Sequence, residues 1–152
     1  MSHVSKLKTS ITNPQALVRA LVRIGIPMSR IEIHEQAQQC CGYHTEEKFM
    51  ANVIVRKSTK LARGGCDIGW EKTEDGTYTA HVDDYNYGGG QQHYSSAWQT
   101  QVATYSNVET AKIEMEKRDI EYEEVRDDKN RIQIVARFKL EDGGRRVLRE
   151  GR

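Results

Sequence analysis

The chain has 152 residues, 30% charged and 37% apolar, with 23 basic against 22 acidic groups and a formal net charge of +1. That length suits one domain able to bury a core without disulfide or metal staples, and the near-neutral total leaves no global field to draw nucleic acid or acidic lipid. No apolar run approaches the ~18 residues of a membrane-spanning helix, and the three cysteines, Cys40, Cys41 and Cys66, read as reduced thiols, so the chain is expected to be soluble and cytoplasmic.

Val4, Leu7 and Ile11 among polar neighbours predict a first strand within residues 3–11. Asn13-Pro14 then opens a helix, because Asn13 can accept from orphan N–H groups and Pro14 sits where no N–H is needed. Leu17, Leu21 and Ile24 share one face, widened by Ala16, Val18 and Ala20. Gly25 supplies a left-handed stop, and Pro27 forbids continuation. Residues 30–35 alternate as a strand with Ile31 and Ile33 inward, followed by a glutamine- and cysteine-rich connection to Gly42-Tyr43. Residues 51–57 predict a second strand, with Val53 and Val55 on one face and Ile54 on the other.

Cys66-Asp67-Ile68-Gly69-Trp70 combines strand alternation with two residues that packing alone would not select, an acid and a glycine. Cys66, Ile68 and Trp70 are expected to face the core. Gly69, on the opposite face with Asp67, leaves room for a close approach, by a loop or helix of the same chain or else by a partner. Glu74-Asp75-Gly76 is a tight-turn signal, and the return strand sets Tyr78, Ala80 and Val82 on one side. A loop over residues 84–92 contains Gly88-Gly89-Gly90 between tyrosines. A helix is predicted over 93–118, since Tyr94, Trp98, Val102, Tyr105, Val108, Ala111 and Met115 step by three or four. Ser106 and Glu109 have capping-box spacing, so that helix could kink or restart there. A closing hairpin turns at Asp127-Asp128-Lys129-Asn130 and returns through Ile132, Ile134, Ala136, Phe138 and Leu140.

The predicted order is β-α-β-β-β-β-α-β-β. This is an α+β fold with a mainly antiparallel sheet and both helices on one face. One domain is expected over residues 1–140, with a basic, flexible tail over 141–152 carrying Arg145, Arg146, Arg149 and Arg152. Each half has a helix followed by two strands, a faint sign of a duplicated unit.

Four blocks in order, Met1-Ser2-His3-Val4-Ser5 with Lys8-Thr9, Gly42-Tyr43, Ala51-Asn52-Val53-Ile54-Val55-Arg56-Lys57 and Cys66-Asp67-Ile68-Gly69-Trp70, resemble the uncharacterised hypothetical chloroplast reading frame thirty-five family of plastids, cyanobacteria, other bacteria and some phages. The helix around Tyr105 and the closing hairpin are also similar, so the resemblance covers most of residues 1–140. Members commonly carry an aromatic at position 66 and Phe at position 70. The chain departs from them in the loop 85–92, the connection 36–41 and the arginine tail. The resemblance implies a small soluble domain of unknown function and brings no catalytic residues.

Several constellations bear on chemistry. His34, Cys40, Cys41 and His44 invite a metal reading, but structural zinc wants paired ligands two to four residues apart, repeated. Adjacent Cys40 and Cys41 point apart on an extended chain, and no second pair exists unless Cys66 joins. No metal or cofactor is therefore expected. Cys66 or Cys41 with His81 and Asp83 could form a nucleophile, a base and its orienter, although Cys66 alternates with core residues as an inert thiol would. Gly88-Gly89-Gly90 lacks the Lys-Ser/Thr of a phosphate-binding loop, and Asp83-Asp84 lacks a calcium-type ligand loop. Arg56, Lys57, Lys60, Arg63 and the tail arginines form basic runs answered closely by Glu71, Glu74 and Asp75.

The leading expectation is a protein-binding or accessory module, rather than an enzyme, docking through a sheet edge or through loops such as Tyr85-Asn86-Tyr87. The alternatives are an enzyme or metal protein using Cys41, Cys66, His44 or His81, and a nucleic-acid-binding protein. The partner is expected to be another protein and not a membrane.

Overall fold

Local signals build the first half of the fold. The computed structural model describes residues 4–42, 48–57, 66–83, 96–139 and 145–151. They comprise β1 (Val4–Lys8), α1 (Pro14–Ile24), a 3-10 turn (Met28–Arg30), β2 (Ile31–Cys41), β3 (Lys48–Val55), β4 (Ile68–Lys72), β5 (Tyr78–Asp83), α2 (Ser96–Lys117), β6 (Glu121–Arg126), β7 (Ile132–Lys139) and β8 (Arg145–Gly151).

Helix α1 starts and stops where its ends dictate. The Asn13 side chain accepts from the N–H groups of Gln15 and Ala16 at 2.9 and 3.2 Å. Gly25 stops the helix at φ 112°, with its own N–H on Val22 and that of Ile26 on Leu21, both at 3.0 Å. This pair of hydrogen bonds to the last turn is open to glycine because no Cβ opposes the left-handed conformation. The buried face carries Ala16, Leu17, Ala20 and Leu21. The β4–β5 hairpin is equally local: Gly76 takes φ 87°, and the Asp75 carboxylate accepts from the Thr77 N–H and both neighbouring threonine hydroxyls.

The fold is α+β and antiparallel throughout, in the predicted order, but its strands form two sheets rather than one. The larger sheet runs β1-β5-β4-β3-β2 and the smaller β6-β7-β8. Helix α1 lays Leu17, Val18 and Leu21 against Val53, Val55, Ile68, Trp70, Ala80 and Val82 of the larger sheet. Helix α2 serves both sheets. Its Trp98 and Val102 enter that first core, with Trp98 tilted against Trp70 at 6.3 Å, while Val108 lies in a second core with Ile132 and Ile134. Each fully buried large side chain of this kind contributes about 1.5 to 3 kcal/mol.

Four expectations change. The connection expected over 36–41 is strand, the distal half of β2, paired with β3 from Gln38↔Ala51 to Cys41↔Lys48. Ile33, expected inward, is 51% exposed because β2 is an edge strand. Helix α2 does not restart at Ser106, which is buried in mid-helix with its carbonyl accepting from the Thr110 hydroxyl at 2.7 Å. Glu109 makes no capping box and instead turns to the cations of α1. The tail expected to be flexible contains β8, whose Leu148 lies opposite Ala136, itself opposite Tyr122. Tyr43, His44, Lys60, Arg63, the loop 84–92 with its triple glycine, and Arg152 lie outside the described residues.

Candidate functional site

The face of the larger sheet turned away from α1 mixes charged groups with a small apolar cluster, and its central row is set by register. Lys6 of β1, His81 of β5, Gly69 of β4, Ile54 of β3 and Glu32 of β2 stand directly across from one another. Over this row the distal half of the β2–β3 hairpin arches back. The arch begins at the register break between Ile33 and Gln38. It is pinned there by buried Asn52, whose amide donates to the carbonyls of His34 (3.2 Å) and Glu35 (3.1 Å) and whose oxygen accepts from the Lys72 N–H at 2.9 Å.

Gly69 makes the arch possible. A Cβ there would collide with the Ala51 methyl and lie 2.9 Å from Cε2 of Phe49. The occupant of the space over Gly69 is therefore the neighbouring strand β3, where a loop, a helix or a partner was expected. Phe49 continues across to stack on the His81 ring, with centroids 5.1 Å apart and planes 10° from parallel.

Asp67 ties down the far end. It is buried, and it accepts from the N–H groups of Lys57 (2.9 Å) and Cys41 (3.1 Å) and from the Arg56 guanidinium (3.3 Å). Its own N–H donates to the Cys41 carbonyl at 3.1 Å. Arg56 also grips Glu32 in a two-point contact at 2.8 and 3.1 Å and reaches the Gln39 carbonyl at 3.2 Å. The Arg56 contact, seconded by His34 at 2.7 Å, holds the Glu32 carboxyl down to about 2. Burial, seconded by the Asp67 charge, pushes the Cys40 thiol up to about 12, which leaves it protonated and unreactive at neutral pH.

His81 is almost wholly enclosed. Its Nε2 lies 3.1 Å from Glu71 Oε1, while its buried Nδ1 has no hydrogen-bond partner. With Nε2–H donating to the carboxylate, Nδ1 is an unprotonated acceptor. Burial lowers the basicity of the ring despite Glu71. The observed orienting carboxylate is thus Glu71, on the adjacent strand, where the sequence pattern paired His81 with Asp83.

A second locus lies between α1, α2 and β6, and sequence reasoning did not find it. Arg23 holds Glu124 through two contacts at 2.6 and 2.8 Å, sits 4.3 Å over the Tyr105 ring and lies 3.7 Å from buried Glu109. Lys112 bridges Glu124 at 2.9 Å and Glu109 at 3.5 Å, and Arg19 holds Glu116 at 3.1 to 3.2 Å. The Arg23 contact holds the Glu124 carboxyl down to about 2. Arg19, Arg23, Glu109, Lys112 and Glu124 line a groove of about 710 Å³ together with the apolar Val18, Val22 and Met28. The signal was present, since Arg19 and Arg23 are spaced i,i+4 on α1 while Glu109, Lys112 and Glu116 step by three and four along α2.

Neither a family model, nor a curated protein, nor a solved structure matches this chain. Among the described residues, no three His, Cys, Asp or Glu side chains are grouped to hold a metal ion. Of the residues singled out for chemistry, Cys40 and Cys66 are buried, Cys41 meets Asp67 through its backbone, and His34 is bound to Glu32. No described helix is long and apolar enough to cross a membrane.

Proposed function

We propose that this chain is a protein-binding module and that its docking surface is the groove between α1, α2 and β6. One observation carries the reading. Val22 and Met28, 42% and 61% exposed, line a groove whose charged residues are already locked in ion pairs. An apolar centre within a fixed polar rim is the anatomy of a protein interface. Covering the part of each side chain still exposed would contribute about 0.6 to 1.8 kcal/mol, and the rim groups lose little freedom on binding because Glu109, Glu124 and Lys112 are already held. The occupant is a protein segment that lays apolar side chains on Val22 and Met28 and hydrogen-bonds to the rim. The fitted partner is not a polyanion, because each cation on the rim is answered by a carboxylate. Membership of the hypothetical chloroplast reading frame thirty-five family belongs to the same proposal, supported by the order of its short sequence blocks.

The test compares proteins captured from cell extract on immobilised wild type, Val22→Asp and Met28→Asp, each first checked for native circular dichroism. A protein held stoichiometrically by wild type and lost by both variants supports the groove. Identical capture on all three, or no capture by wild type, overturns it.

A further inference from the structure

The face of the larger sheet turned away from α1 carries a group that the docking reading does not use. His81 is buried with one nitrogen bonded and the other orphaned, and an aromatic ring from a different strand closes over it. We propose that His81 is an acid-sensitive latch, and that protonation of its ring lifts Phe49 and opens the β2–β3 arch from the face of the sheet.

The geometry supplies both states. In the closed state the neutral ring donates an Nε2–H hydrogen bond to Glu71 and offers its flat face to Phe49. Uptake of a proton creates an N–H at Nδ1, which is buried and has no acceptor among the described residues. An unsatisfied buried donor on a cation is a costly group, far costlier than the orphaned acceptor it replaces. Among the described residues, Glu71 from β4 favours the cation and Lys6, directly opposite on β1, opposes it. From β3 uncharged Phe49 stacks on the ring, and along β5 the positions at two-residue spacing are Thr79 and Asp83. Burial outweighs Glu71, so the ring is less basic folded than its ordinary value of 6.5.

That depression fixes the sign. A histidine whose folded value is depressed favours the closed state above about 6.5 and penalises it as the pH falls. The element that yields is the arch rather than the sheet. Phe49 closes the ring from a hairpin end that folds back over Gly69, whereas β4 and β5 hold His81 in a continuous ladder. Opening uncovers Phe49, Ala51, Cys40 and Ile54, a small apolar cluster separate from the main core.

The experiment is hydrogen exchange of the amides of residues 38–41 and 48–51 in the full chain, corrected for intrinsic rates, between pH 7.5 and 5.5. One proton taken up on opening lowers protection by up to about tenfold per pH unit below 6.5. His81→Gln, which cannot be protonated, keeps its protection across the range. Corrected protection that stays flat in wild type, or falls equally in His81→Gln, overturns the proposal. If that variant does not fold, the wild-type ring decides. A His81 resonance that titrates below 6.5 together with the Phe49 ring signals supports the latch, and one that titrates while Phe49 stays unmoved removes it.

Discussion

Gly69→Ala isolates the close approach on which the arch depends. Alanine needs no unusual backbone at this position, because Gly25 and Gly76 are the glycines at positive φ among the described residues. In an open strand the change would gain about 0.5 to 1 kcal/mol, through the lower chain entropy of alanine. Here the new methyl falls onto the Ala51 methyl and lies 2.9 Å from the Phe49 ring. The ring can swing, but the Ala51 methyl is fixed to the backbone of β3, so the strand itself must lift. Overpacking of this kind costs about 1 to 3 kcal/mol, so the sum runs from about no change to a net loss of about 2.5 kcal/mol, with a loss of about 1 kcal/mol at its centre.

Urea unfolding followed through the fluorescence of Trp70 and Trp98, both in the main core, measures that loss. Gly76→Ala is the control. It meets nothing within 4 Å but keeps φ at 87°, so it costs about 1 kcal/mol through the backbone alone and leaves residues 48–51 protected from exchange. Gly69→Ala must lose protection at residues 48–51. A Gly69→Ala protein as stable as wild type, with residues 48–51 equally protected, would refute the claim that Gly69 exists to admit β3.

Two further outcomes are expected. Arg23→Gln removes the two-point contact that holds the Glu124 carboxyl at about 2, below its ordinary 4.5, and costs about 1 to 3 kcal/mol. A depressed carboxyl stabilises in full above 4.5 and loses that contribution as the pH falls toward 2. The stability gap between wild type and Arg23→Gln, read from denaturant midpoints, is therefore constant above about pH 5 and closes below 4.5, whereas a gap unchanged at pH 3 contradicts the assignment. Among the thiols, Cys40 is fully buried with its ionisation pushed up to about 12, and Cys66 is also buried. Iodoacetamide on the native protein at pH 8 should modify partly exposed Cys41 first, with all three thiols reacting in urea. Native Cys40 reacting as fast as Cys41 contradicts the closed arch.

Legibility in the sequence tracked how local each determinant is. Helix α1 was readable to its ends because Asn13 and Gly25 act on N–H and C=O groups within four residues, and the β4–β5 hairpin because its turn is set by Asp75 and Gly76. The distal half of β2 was hidden. Of residues 36–41 only Cys40 is buried, so an edge strand arching over that face shows no alternation. The spacing of Trp98, Val102, Val108 and Met115 marks one helix, but not that its two halves serve different sheets. At the site, Cys41, Asp67, Gly69 and His81 do gather around the arch, yet they act structurally. Asp67 meets the N–H of Cys41, and Gly69 contributes by what it lacks. The partner of His81 was missed because Glu71 lies diagonally across the hairpin, Gly69 being the residue opposite, and alternation along one strand does not reveal cross-strand diagonals.

Helix α2 has a consequence for synthesis. All five strands of the larger sheet are encoded by residue 83, whereas α2 begins at Ser96. A chain leaving the ribosome can therefore complete that hydrogen-bonded ladder, with α1 laid on it, while the ground that Trp98 and Val102 later cover is still open. The smaller sheet is placed differently, since its strands follow α2 in the chain and its Ile132 and Ile134 close upon the second half of that helix. The order of synthesis thus suits vectorial folding, in which α2 would close over the larger sheet before offering its second half to β6 and β7. A chain paused with β5 already out but α2 still inside the ribosome would leave Trp70 under an unfinished roof, the point at which a nascent chain would most need a chaperone.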